Sequence, residues 1–293
     1  MIEYEGRAWL SILARTRGSV IPRLLSRVIA CAGMGVVAVW LNRTEELHLS
    51  PIAHTMIGVA LGLLLVFRTN ASYDRYWEGR RLLGGMVIRV RDLTRQAIAY
   101  LPGDAHRASR ESVRALGCAY FRLAAQLLRG EDDLGRLSSL LSASERAALE
   151  GVRARPQVVS TWITSRLARL AEAGALPETR LFAMDQNLLA LTDSLAGCER
   201  ILRTPVPFAY AQHIKIFVVL FCFTAPFTMA DAMGWATPVA AGLLAFALFG
   251  IDEIGVEIED PFGTDPNDLP VDAIGDGIES ATRAMLDAGA PAD

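Results

Sequence analysis

Between Pro51 and Phe67 the only ionisable side chain is His54, and the very next residue is Arg68. A segment of that length and polarity narrows the possible folds more than any other feature of the chain. A hydrocarbon layer about 30 Å thick is crossed by roughly 17–25 helical residues. Three more segments come close to that standard. Leu24–Leu41 carries only Arg27, near its start. Val206–Met229 carries Lys215, whose long stem can reach the interface. Trp235–Ile251 carries no charge. A central Leu or Val favours insertion by about 0.3–0.6 kcal/mol, whereas a central Arg or Asp opposes it by about 2.5–3.5 kcal/mol. One such run fits a buried soluble helix. Four in one chain predict an all-α membrane protein with four spans, near residues 24–41, 51–67, 206–229 and 235–251.

Basic flanks set the orientation. Arg7, Arg15, Arg17 and Arg23 precede the first span, and Arg68, Arg75, Arg80, Arg81, Arg89, Arg91 and Arg95 follow the second. The link between spans 1 and 2 has one Arg and two Glu, and that between spans 3 and 4 has no base. Both termini and the insertion 68–205 are therefore expected in the cytoplasm, as is the tail 252–293. The opening MIEYEGRAW lacks the pattern of a cleaved signal peptide, so the first span is expected to be retained, in a bacterial inner membrane.

The insertion reads as helical. Leu82, Val90, Leu93 and Ala97 recur at helical spacing, as do Val113, Leu116, Tyr120, Leu123 and Leu127. Breakers lie at Leu101-Pro102-Gly103-Asp104, Gly130-Glu131-Asp132-Asp133, Arg155-Pro156 and Leu176-Pro177. Pro177-Glu178 reads as a helix start, whereas Ser144 and Ala147 do not complete a capping box. Cys31, Cys118, Cys198 and Cys222 form no CxxC, so reduced thiols are expected.

A helix can pass from hydrocarbon to charge in one residue if protein or a water-filled lumen receives the charge. Val59, Leu63 and Phe67 recur every four residues and share a face. Gly58 and Gly62 lie beside them, where small residues permit close packing. From spacing alone this stripe fits lipid, a neighbouring helix or a lumen.

The stretches FRTNASYDRYWEGRRLLG, GCERILRTPVPFAY and EIEDPFGTDPNDLP, in that order, resemble the bestrophin family of channels, in its bacterial branch. The resemblance covers nearly the whole chain and implies a single channel domain over 1–293. It further implies a homopentamer in a lipid bilayer, with a pore on the five-fold axis. It implies that Val59, Leu63 and Phe67 form an apolar neck, where this chain departs from an Ile/Ile/Phe pattern. It also implies a cytoplasmic aperture after a Gly-x-Leu turn, matched by GALPET, which places Thr179 there. A narrow apolar ring can gate ions by dewetting.

The bacterial branch is associated with monovalent cations and the animal branch with chloride. Acidic rings favour cations and basic rings anions. Asp74, Glu78, Asp185 and Asp193 are candidate lining acids among many arginines. The expectation is a sodium-like cation, with chloride as the alternative. A membrane carrier or a sensor scaffold is the more distant reading. The acidic stretch after span 4 raises a weak possibility of a metal site at Glu257, Glu259 and Asp260. Yet prolines interrupt it, and no D-x-[DN]-x-[DN]-G loop is present. Its acids are equally suited to pairing with the arginines after span 2. His54 is a candidate for proton sensitivity near the outer mouth. No phosphate loop, nucleophile elbow or His-rich motif is present, so neither an enzyme nor a cofactor is expected. A net charge of −3 gives no reason to expect nucleic-acid binding.

Overall fold

The computed structural model describes residues 7–45 and 50–289, and among them there is helix but no strand. The helices are α1 (Trp9–Leu13), α2 (Ile21–Thr44), α3 (Pro51–Tyr100), α4 (Arg107–Arg129), α5 (Ala143–Ala148), α6 (Arg155–Glu172), α7 (Glu178–Arg203), α8 (Phe208–Met233), α9 (Thr237–Glu257) and α10 (Val271–Ala288). Two compact units divide the chain. One comprises residues 1–77, 205–261 and 265–268, and the other residues 78–204, 262–264 and 269–293.

The first unit holds the apolar helices. Three helical stretches are long and apolar enough to cross a membrane: Ile21–Thr44, Pro51–Tyr100 and Phe208–Glu257. A 3-10 turn at Gly234–Ala236 splits the last into α8 and α9, which gives the four spans that the hydropathy predicts. Their shared core contains Leu24, Cys31, Leu61, Leu65, Ile214, Val218, Cys222, Ala245 and Phe249. Small residues bring the helices together. At Gly35 of α2 a Cβ would lie 2.6 Å from the Pro238 Cα of α9. Of the two glycines beside the stripe, Gly58 packs on the Phe221 ring, where a Cβ would sit 3.0 Å away. Gly62 has no neighbour within 4 Å. Close packing within the chain is thus confined to the first of the pair.

The second unit is an amphipathic bundle. Val90, Leu93, Ala97, Val113, Leu116, Tyr120 and Leu123 are buried, as their spacing predicts. The breakers fall where the elements end. Gly103 and Gly130 take left-handed φ of 81° and 67°, the second closing α4. Pro156 stands in the first turn of α6, and Pro177 is the N-cap of α7. The capping box forms two residues before the position inspected in the sequence, between Ser142 and Glu145.

Beyond residue 268 the chain forms one more helix. Helix α10 buries Val271, Gly275, Ile278 and Thr282, one stripe at 3–4 spacing, and packs on α4. Arg122 of α4 fixes it. Arg122 Nε donates to Glu279 at 2.6 Å, and its guanidinium also pairs with Asp276. The four thiols are free and buried.

Candidate functional site

The stripe on α3 keeps one orientation. Val59, Leu63 and Phe67 are 65%, 56% and 62% exposed, and Leu61 and Leu65 between them are fully buried. The exposed apolar face also includes Ile52 and Met56. Among the described residues α3 therefore presents an apolar face that no other element covers. Apolar surface left bare on this scale implies a partner, a lipid or a lumen lining. His54 is turned elsewhere: its ring stacks on Phe221 at 4.2 Å, away from that face.

Phe67 and Arg68 point to opposite environments. Phe67 is exposed, whereas Arg68 is 2% exposed. The Arg68 guanidinium lies 3.4 Å from Asp252 and 3.8 Å from Glu259. Asp252 also accepts a hydrogen bond from Lys215 Nζ at 3.2 Å. Burial of ions is costly unless partners of opposite charge are buried with them. That answers how charge follows hydrocarbon without a loop: the first arginine turns into the helix bundle and meets two acids there.

The acids after α9 are tied down in the same way. Glu253 accepts from Arg27 at 3.0 Å. Glu257 accepts from Asn267 Nδ2 at 3.0 Å and lies 3.8 Å from Arg23. Glu259 accepts from the Val206 backbone N–H at 3.1 Å, and its own carbonyl accepts from Arg75 Nε at 3.0 Å. Glu257 and Glu259 thus spend their oxygens on protein donors. No group of three or more His, Cys, Asp or Glu among the described residues is arranged to hold a metal. The residues Asn267 and Asp268 complete this knot. Burial pushes the Asp268 carboxyl up to about 6, with the Asp265, Asp260 and Glu257 carboxylates adding to the shift. The Asp265 backbone N–H, donating at 2.7 Å, works against it.

The other named residues are dispersed. Thr179 stands exposed in the first turn of α7. Asp74 is exposed on α3, and Asp185 and Asp193 on α7. Glu78 accepts from Arg200 at 3.0 Å and is half-buried. Arg81 and Arg91 are exposed on α3, so side chains of both signs reach solvent on these helices. The expected pairing of acids after span 4 with arginines after span 2 is met by Arg68 with Asp252 and Glu259, whereas the part of Lys215 in that cluster is what sequence reasoning missed. The only signal was a charge in or beside three different apolar runs, and spacing cannot show that such charges meet.

Comparison with known proteins agrees with this architecture. The family described as "Bacterial/Fungal Bestrophin protein" matches residues 1–284. A voltage-dependent anion channel-forming protein of Nostoc sp. is 41% identical over 269 residues, covering 91% of this chain and 88% of that protein. One of Ralstonia nicotianae is 38% identical over 285 residues, covering 95% and 92%. The crystal structure of a bacterial bestrophin homologue from Klebsiella pneumoniae superposes with a TM-score of 0.84 at 29% identity. It covers 91% of this chain and 99% of its own. With a helical membrane unit and a family match over nearly its whole length, the chain is an ion-channel protein that belongs to the bacterial/fungal bestrophin family.

Proposed function

We propose that copies of this chain assemble, as a homopentamer in the bacterial inner membrane, into a channel for small monovalent ions, with anions favoured. The observation that carries the pore is the bare stripe Val59, Leu63 and Phe67, on a helix whose opposite face packs into the bundle through Leu61 and Leu65. Around an axis these residues form stacked apolar rings, and such a neck gates by excluding water until it widens. Val59 gives a wider upper ring than Phe67 gives at the bottom. In this reading the whole chain, 1–293, acts as one channel domain. Both termini and the helices between α3 and α8 lie in the cytoplasm, following the positive-inside distribution. Thr179 stands at the cytoplasmic aperture, where its hydroxyl repels water less than an alkyl side chain does. The channel needs no cofactor, and Glu257, Glu259 and Asp260 act in internal pairing, not as metal ligands.

The choice of ion departs from the sequence expectation. A sodium-like cation is the reading from the bacterial branch, but the relatives from Nostoc sp. and Ralstonia nicotianae are named voltage-dependent anion channel-forming proteins. Exposed Arg81 and Arg91 on α3 are compatible with that choice. The test is the reversal potential of purified, reconstituted protein in a potassium chloride gradient. Anion conduction places it near the chloride equilibrium potential, and cation conduction near that of potassium.

A further inference from the structure

Arg68 is the residue after Phe67 in one continuous helix, and the two side chains diverge by about 100° at 3.6 residues per turn. Holding Arg68 toward the bundle therefore holds Phe67, and with it Leu63 and Val59, on the outer face. The grip is specific. Asp252 of α9 is 3% exposed and faces the guanidinium at 3.4 Å, and Glu259 is 3.8 Å away. Asp252 is shared with Lys215 of α8. The arginine stem lies over Gly255, where a Cβ would be 3.5 Å from Nε. Three helices thus converge on one buried cation.

The grip is also loose. Arg68 Nε and Nη1 and Asp252 Oδ1 are buried without a properly aligned hydrogen bond. The pair is held by charge across 3.4 Å, not by the short bidentate fork that an arginine and a carboxylate can form. An under-bonded ion pair resists rotation of α3 less than a fully bonded fork does.

We propose that Arg68, Asp252 and Lys215 form a rotational clamp that sets the aperture of the neck. In this role Arg68 and Asp252 are positioning residues that never touch the permeating ion. The clamp rests on the pore reading of Val59, Leu63 and Phe67. It adds that the last two spans control the neck through charge.

The test is thiol accessibility combined with single-channel recording on the full chain in planar bilayers. The four native thiols are buried and give a quiet background. In otherwise unaltered protein, a water-soluble thiol reagent blocks current through Leu63→Cys and leaves Leu64→Cys unmodified. Adding Asp252→Asn slows modification of Leu63→Cys several-fold, exposes Leu64→Cys and alters unitary conductance, while Asp252→Glu restores the original pattern. Lys215→Gln leaves both charges of the central pair in place and shifts the same readouts less. It serves where Asp252→Asn does not assemble. Unchanged accessibility and conductance in Asp252→Asn and in Lys215→Gln, with Leu63→Cys still blocked in the parent, would overturn the clamp and leave the neck standing. A parent in which Leu63→Cys is never modified would remove the neck, and the clamp with it.

Discussion

Asn267 Nδ2 bridges Glu257 Oε1 at 3.0 Å and the Gly18 carbonyl at 2.9 Å, joining the acidic segment after α9 to the entry of α2. Two segments far apart in sequence are thereby tied at one side chain. Two net hydrogen bonds of about 0.5–1.5 kcal/mol each are at stake. Asn267→Ala is expected to lower stability by about 1–3 kcal/mol, read as a lower unfolding temperature in detergent. Because the neighbouring acids are already paired, adding calcium or EDTA is expected to leave that temperature unchanged. A calcium-dependent rise would restore the metal reading of Glu257, Glu259 and Asp260.

The contact of Gly35 with Pro238 gives a test of packing in the membrane unit. An added methyl at Gly35 would meet the Pro238 Cα at 2.6 Å, a backbone atom that cannot swing away. Overpacking of this kind costs about 1–3 kcal/mol. Gly33, two residues earlier, has nothing within 4 Å. Gly35→Ala should therefore lower the unfolding temperature, and Gly33→Ala should leave it unchanged or raise it slightly.

Arg122 supports the tail helix. Its pair with Glu279 is partly buried, whereas Asp276 is exposed, and a hydrogen bond between charged groups contributes about 1.5–3 kcal/mol where water is kept away. Arg122→Ala is expected to loosen α10 from α4, so limited proteolysis should cut first between Val271 and Ala288. Arg122→Lys should restore only part of the protection, since one ammonium cannot reproduce the fork.

The buried Asp268 carboxyl links stability to pH. Its value in the folded protein is about 6 against an ordinary 3.8, so the folded state binds the proton more tightly. Its contribution is fully present below about 4 and is lost as pH rises toward 6. Asp268→Asn removes that loss, so the variant should be the more stable of the two at neutral pH, with the difference shrinking on acidification. Asp272 acts with the opposite sign. The hydrogen bond from Arg129 holds it below the ordinary range, and its smaller, solvent-screened contribution fades as pH falls.

Much of this architecture is legible in the chain. Apolar runs with at most one charge give the four spans because lipid demands them, and Val113, Leu116, Tyr120 and Leu123 give α4 because a helix repeats every 3.6 residues. Breakers such as Pro156 and Gly130 mark boundaries through backbone geometry alone. What stays hidden are meetings between distant residues. Nothing in the order of Arg68, Lys215 and Asp252 says that the three charges meet, with Arg68 and Asp252 buried and Lys215 half-exposed beside them. Helix α10 escapes notice because its apolar stripe is short and built partly from Gly275 and Thr282. Among site residues, the shared face of Val59, Leu63 and Phe67 follows from spacing. Their purpose comes from the family, since an apolar stripe reads alike against lipid, protein or water.

Single-channel recording of the purified protein in a planar bilayer, comparing the parent with Leu63→Ala, tests the pore most directly. The account predicts discrete unitary steps in the parent, with larger conductance or longer openings once the neck ring is trimmed. Saturable flux without unitary steps, or steps unaffected by Leu63→Ala, would contradict it.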